Sequence, residues 1–133
     1  MTEHLQAEIV QTAVLVNARG EALILRRPAG KWQLPGGRLN AGEQWDEGLR
    51  REIREETGID DVEILSIMML DNWVYEGVPM YGVFLLCRTQ KTEVRLSTDH
   101  DEFRWVTLKD DLRQFDFWHD SLRILVERAL QMR

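Results

Sequence analysis

The chain has 133 residues, 44% of them hydrophobic and 30% charged, a size and balance that suit one globular domain spanning residues 1–133 with a core of its own. Its net charge of −6 leaves no global positive field to hold duplex DNA, so a phosphorylated partner is expected to be small. A single cysteine makes no intramolecular disulfide, Met1-Thr2-Glu3-His4-Leu5 lacks the layout of a secretion signal, and no apolar run approaches the roughly 18 residues of a membrane span; the expected compartment is the cytoplasm, with no membrane partner.

Residues 9–16 and 22–26 read as strands, with Asn17-Ala18-Arg19-Gly20 between them supplying hairpin chemistry. A short strand over 32–34 is expected to stop at Pro35-Gly36-Gly37, where consecutive glycines signal positive φ or a close approach of backbone to a ligand. The spacing predicts a helix over 44–57. Trp45, Leu49 and Ile53 repeat every four residues, Asp46 and Glu47 suit the first turn, and Gly58 suits the position past the end. Trp45 is expected in the core with Trp105 and Trp32. Gly48 costs this helix about 1 kcal/mol relative to Ala; its missing side chain makes room for a bound group or a packed strand. Further strands are expected at 62–70, 80–88 and 102–107, and a last helix at 120–132 with Leu122, Leu125, Val126, Ala129 and Leu130 on one face. His119, Asp120 and Ser121 offer its capping groups. Interleaved strands and helices make the class α/β, with a sheet flanked by two helices. Cys87, inside Val83-Phe84-Leu85-Leu86-Cys87, reads as a buried structural thiol.

The densest chemistry lies in Arg51-Glu52-Ile53-Arg54-Glu55-Glu56-Thr57-Gly58. At about 100° per residue, Glu55 and Glu56 fall roughly 60° and 40° to either side of Glu52. Like charges at that spacing destabilise a helix by about 0.2–0.5 kcal/mol per pair. A hard divalent cation offsets such repulsion, because Mg²⁺ favours carboxylates together with substrate phosphates. A solvated acidic face is the plain alternative.

From Gly37 to Ile59 the chain carries Gly37, Glu43, Arg51-Glu52-Ile53, Glu55-Glu56 and Gly58-Ile59 at fixed spacing. That pattern resembles the signature of the Nudix hydrolases at every constrained position, and Trp32-Gln33-Leu34-Pro35-Gly36-Gly37 resembles its usual lead-in. The resemblance implies an α/β/α sandwich on a mixed β-sheet with a loop–helix–loop catalytic box. It implies a Mg²⁺- or Mn²⁺-dependent pyrophosphohydrolase in which water cleaves a phosphoanhydride bond of a small nucleotide or nucleoside-diphosphate derivative. By position, Glu52, Glu55 and Glu56, helped by the Gly37 carbonyl, would hold metal. Glu43 would pair with Arg51 or touch a metal-bound water, and Arg51 would orient the carboxylates. Glu55 or Glu56 could take the proton from water.

Downstream, relatives place a glutamate before a histidine where this chain has Asp99-His100. Asp99 becomes a candidate metal ligand or base, with Glu102 as runner-up, while His100 reads as structural or solvent-facing. Arg26 or Arg27 is expected to meet a substrate phosphate. Among Trp73, Tyr75, Phe115, Phe117 and Trp118, Trp73 and Trp118 are the candidates to stack on a base. Arg50 and Arg54 read as surface residues. Two other functions stay open: a non-catalytic nucleotide-sensing module, which would lose carboxylates that are all present here, and an RNA 5′-end pyrophosphohydrolase, which the acidic balance and the lack of a basic stripe oppose. Either a monomer or a homodimer fits.

Overall fold

The computed structural model describes residues 3–132; Met1 and Thr2 of the opening segment, and Arg133, lie outside the described residues. In chain order it contains β1 (Glu8–Val16), β2 (Ala22–Arg26), β3 (Trp32–Gln33), β4 (Gly36–Arg38), α1 (Trp45–Thr57), β5 (Glu63–Tyr75), β6 (Val78–Arg88), β7 (Glu102–Val106), a short 3₁₀ turn at Leu112–Gln114 and α2 (Asp120–Gln131). The strands form one mixed sheet with β3, β2, β1, β6 and β5 side by side, β4 added to β1 and β7 to β2. β1 and β6 run parallel from Glu8↔Met80 to Val16↔Arg88, and the other pairings are antiparallel. Between β1 and β2, the Asn17 side chain accepts from the N–H groups of Arg19 and Glu21, and Gly20 takes a φ of 77°, the turn chemistry expected there.

Strand alternation divides the core in two. Ala13, Leu15, Leu23, Leu25, Leu85 and Cys87 lie under Leu49 and Ile53 of α1. Val14, Ala22, Ile24, Phe84 and Val106 lie on the other face, under Leu122, Leu125, Val126, Ala129 and Leu130 of α2. The layers are therefore helix, mixed sheet, helix, as expected. Cys87 is fully buried, and burial pushes its thiol up to about 12. His119 caps α2 by accepting from the Ser121 N–H, and Gly58 closes α1 at a φ of 76° with its N–H on the Arg54 carbonyl. Among the described residues no helix is long and apolar enough to cross a membrane.

Three local expectations need correction. Gly36-Gly37 does not end a strand but belongs to one: β4 pairs Gly37 with Gln11 and Gly36 with Thr12. A Cβ on Gly36 would collide with the Gln11 carbonyl, so at Gly36 the close backbone approach is to β1. β5 runs on to Tyr75 and meets β6 through Glu76-Gly77, both at positive φ (49° and 78°), as a two-residue primed hairpin turn requires. Trp73 and Tyr75 thus lie within the strand and Pro79 sits opposite Val74. The polar pair Asp71-Asn72 imitates a turn but is held in the ladder opposite Gly82 and Tyr81. Finally, Trp45 is 51% exposed, because the buried residues of α1 begin only at Gly48. Trp32 is buried and Trp105 half-buried against the α1-side core, in keeping with packing roles.

Candidate active site

The sheet face under α1 carries the chemistry. With Leu49 and Ile53 turned into the core, the 3.6-residue repeat swings Glu52 and Glu56 toward β4. The Glu52 carboxylate occupies the space a Cβ on Gly37 would fill, 2.5 Å from its Cδ and 2.6 and 2.8 Å from its oxygens. Glu56 is buried, and its Oε1 accepts the Gly36 N–H at 2.7 Å. The two glycines therefore let the backbone reach both carboxylates.

Arg51 is the hub of the outer half. Its Nε donates to Glu43 Oε2 at 2.6 Å and its Nη2 to Glu43 Oε1 at 3.0 Å. Its Nη1 lies 3.0 Å from Glu52 Oε1 and 3.2 Å from Glu55 Oε2. Of the two roles that the family resemblance implies for Glu43, the structure has the pairing with Arg51. Glu43 also accepts the Asn40 N–H, and the guanidinium with that N–H holds its carboxyl below the usual range. Gly48 resolves differently from either expectation: a Cβ there would meet Leu39 Cδ1 at 2.5 Å and Glu43 Oε1 at 3.0 Å. The room belongs to the loop that carries Glu43.

Electrostatically the inner half is unbalanced. Burial raises the Glu52 carboxyl despite the opposing charge of Arg51. Glu56 is pushed up to about 8, first by burial, then by the charges of Glu52 and Asp99, against the Gly36 N–H and the charge of Arg27. His100 is buried, and its pKa is lowered by burial and by Arg27. Its Nδ1 lies 3.8 Å from Glu56 Oε2. With one group held neutral by its lowered and the other by its raised pKa, this is a polar contact and not an ion pair.

The remaining predicted residues divide. Arg27 is exposed, and its charge acts on both Glu56 and His100. Arg26 is engaged elsewhere, forked onto Asp101 at 3.0 and 3.1 Å with Glu102 at 3.6 Å. Asp99 is exposed and near enough to raise Glu56, whereas Glu102 pairs with Arg26 and Arg104. Trp73 is half-buried in the α2-side core beside Phe84, over the space that a Cβ on Gly82 would need. Trp118 is 52% exposed, with its ring 6.4 Å from that of Tyr75. Arg50 and Arg54 are not part of the cluster; Arg50 pairs with Asp46 and donates to the Val62 carbonyl. A concavity of about 330 Å³ opens at the approach to α2, lined by Arg113, Phe115, Asp116 and Phe117, away from Glu56. His100, read as structural or solvent-facing, is buried beside Glu56; Gln33 escaped the sequence reading, and its one available signal was a polar residue between the buried Trp32 and Leu34.

The donors suit a hard cation: carboxylate oxygens, two of them with raised pKa values that a positive charge would relieve, beside a glycine backbone that leaves room for Glu52. Among the described residues no three acidic, His or Cys side chains converge into a ready ligand set. Arg51 stands among Glu43, Glu52 and Glu55 as an internal counter-charge, taking one oxygen each of Glu52 and Glu55.

A family model described as NUDIX domain matches residues 8–126. The chain is 33% identical over 129 residues to an octanoyltransferase of Myxococcus xanthus, covering 90% of this chain and 36% of that protein. It is 26% identical over 118 residues to the nucleoside triphosphatase NudI of Escherichia coli, covering 78% and 77%. The crystal structure of a MutT protein from Methanosarcina mazei superposes with a TM-score of 0.77 at 31% identity, covering 96% of this chain and 97% of that one. The chain spans about a third of the length of the larger curated relatives that it matches.

Proposed function

The chain belongs to the NUDIX family, and we propose that it is a metal-dependent pyrophosphohydrolase in which water cleaves a phosphoanhydride bond of a small nucleotide or nucleoside-diphosphate derivative. The observation that carries this reading is the pair of carboxylates, half-buried Glu52 and buried Glu56, that face Gly36-Gly37 with raised pKa values. Buried negative charge without full compensation is costly and clusters at functional sites.

In this reading Glu52, Glu55, Glu56 and the Gly37 carbonyl hold Mg²⁺ or Mn²⁺. A divalent ion there would neutralise phosphate oxygens and lower the pKa of the attacking water. Arg51 keeps Glu52 and Glu55 oriented and screens their mutual repulsion until they are needed. Arg27, for which no ion pair occurs among the described residues, meets a substrate phosphate. Asp99 or Glu55, both exposed, takes the proton from water, since buried Glu56 has one oxygen on the Gly36 N–H and the other for the cation. Trp118 with Tyr75 offers an exposed aromatic surface to a base, whose stacking is worth about 1–3 kcal/mol. A triphosphate substrate is favoured by the name of the Escherichia coli relative, a nucleoside triphosphatase.

A nucleotide-panel hydrolysis screen with Mg²⁺ and product identification tests the reading. Phosphate or pyrophosphate release is expected, lost with chelator and nearly abolished in Glu52→Gln and Glu56→Gln. Turnover that survives both substitutions and the chelator refutes it.

A further inference from the structure

His100 is 4% exposed, and its Nδ1 is the buried side-chain polar atom that has no hydrogen-bond partner among the described residues. Leaving such an atom unpaired costs about 1–3 kcal/mol, so its placement calls for a reason. Its Nε2 lies 3.2 Å from the Gln33 side-chain oxygen. On the other side, Nδ1 faces Glu56 Oε2 at 3.8 Å, while the second oxygen of that carboxyl is already taken by the Gly36 N–H. The gap exceeds a hydrogen bond by less than about 1 Å. A small rotation of either side chain closes it.

We infer that His100 is a positioning residue for Glu56, held by Gln33 and donating from Nδ1 to Glu56 Oε2. The Gln33 amide turned end for end donates to Nε2, which leaves the ring hydrogen on Nδ1. Oxygen and nitrogen of an amide have the same shape, so this turn needs no new space. With Gly36 N–H on one oxygen and His100 on the other, rotation of the carboxylate is fixed. About four lone-pair directions exist on its two oxygens, so two remain for a cation. Residues that orient a metal-binding carboxylate from behind commonly change affinity 10–100-fold when removed.

The inference rests on Glu56 being a metal ligand, and the experiment separates the two claims. Mn²⁺ affinity is measured by calorimetry or electron paramagnetic resonance on wild type, Glu56→Gln, His100→Ala, His100→Asn and His100→Gln, with a thermal midpoint for each. The Asn amide reaches the position of Nδ1, and the Gln amide that of Nε2. Expected are a Kd raised about 10–100-fold in His100→Ala and His100→Gln and one within roughly threefold of wild type in His100→Asn. Unchanged affinity in His100→Ala, or Asn and Gln variants equally impaired, overturns the positioning role and leaves His100 as packing. If His100→Ala does not fold, the nearly isosteric Asn and Gln pair decides. Unchanged affinity in Glu56→Gln overturns the ligand role itself.

Discussion

Replacing Glu56 by glutamine converts a carboxyl that titrates abnormally into a neutral isostere, and the consequence for stability has a definite sign. In the folded chain the proton leaves Glu56 near pH 8, whereas in the unfolded chain it leaves near the ordinary 4.5. Between those values the folded state binds more protons, so deprotonation favours unfolding and metal-free wild type loses stability as pH rises from about 4.5 to about 8. At about 1.4 kcal/mol per pKa unit the cost is bounded at roughly 5 kcal/mol. Water entry and side-chain relaxation reduce it, and about 2–3 kcal/mol is expected, because effective dielectric constants in proteins exceed the dry-interior value. For a chain of this size that is a Tm difference of roughly 6–12 °C. Thermal melts in chelator from pH 4.5 to 8.5 should show Glu56→Gln little different from wild type at the acid end and more stable by that margin at pH 8. Other carboxylates, Glu43 among them, titrate in both proteins and cancel in the difference. Millimolar Mn²⁺ should flatten the wild-type slope. A difference that is constant with pH, or that favours wild type at pH 8, refutes the assignment of burial as the dominant cause.

Gly37→Ala should fold, since its Cβ meets the movable end of Glu52 at 2.5 Å and not backbone, but it should lower kcat at least about tenfold by displacing that carboxylate; a Tm loss with normal kcat would contradict this. Arg51→Lys should lower kcat despite keeping the charge, because a lysine cannot fork onto Glu43 and still reach Glu52 and Glu55; wild-type kinetics would show the fork to be dispensable. Trp118→Ala should raise KM for the preferred nucleotide by about 5–100-fold with kcat nearly unchanged, the signature of lost stacking; an unchanged KM would remove Trp118 from the base site. Cys87 should resist thiol reagents until the protein is denatured, since its thiol is buried and pushed up to about 12.

Local signals carried most of this fold. The stripe Leu49 and Ile53, the Gly58 stop and the apolar face of α2 are each readable within a dozen residues, and both helices form where that periodicity places them. Long-range pairing was not readable in the same way. The strand expected over 62–70 runs on through Asp71-Asn72 because Gly82 and Tyr81 lie opposite them, and Gly36-Gly37 reads as the end of a strand until β1 is laid beside it. Trp45 shares the stripe of Leu49, yet nothing in spacing says where the sheet beneath a helix ends.

The same distinction governs the site. Carboxylates and Arg51 share one helix, so their encounter follows from 100° per residue, and the Glu43–Arg51 pair needs only a loop of ordinary length. The Gln33–His100 contact spans 67 positions and closes only because β2 pairs with both β3 and β7. That arrangement carries Gln33 in on one side and the loop before β7 in on the other. A histidine read in isolation is ambiguous between solvent and core; what removes the ambiguity is a nitrogen without a partner facing Glu56. Arg26 and Arg27 make the same point with opposite charge. They are adjacent in sequence and equivalent by composition, yet Arg26 ends β2 and forks onto Asp101, while Arg27 lies just past the strand, where its field reaches Glu56. In the proposed reading it is Arg27 that meets a phosphate, because the guanidinium of Arg26 already has its carboxylate.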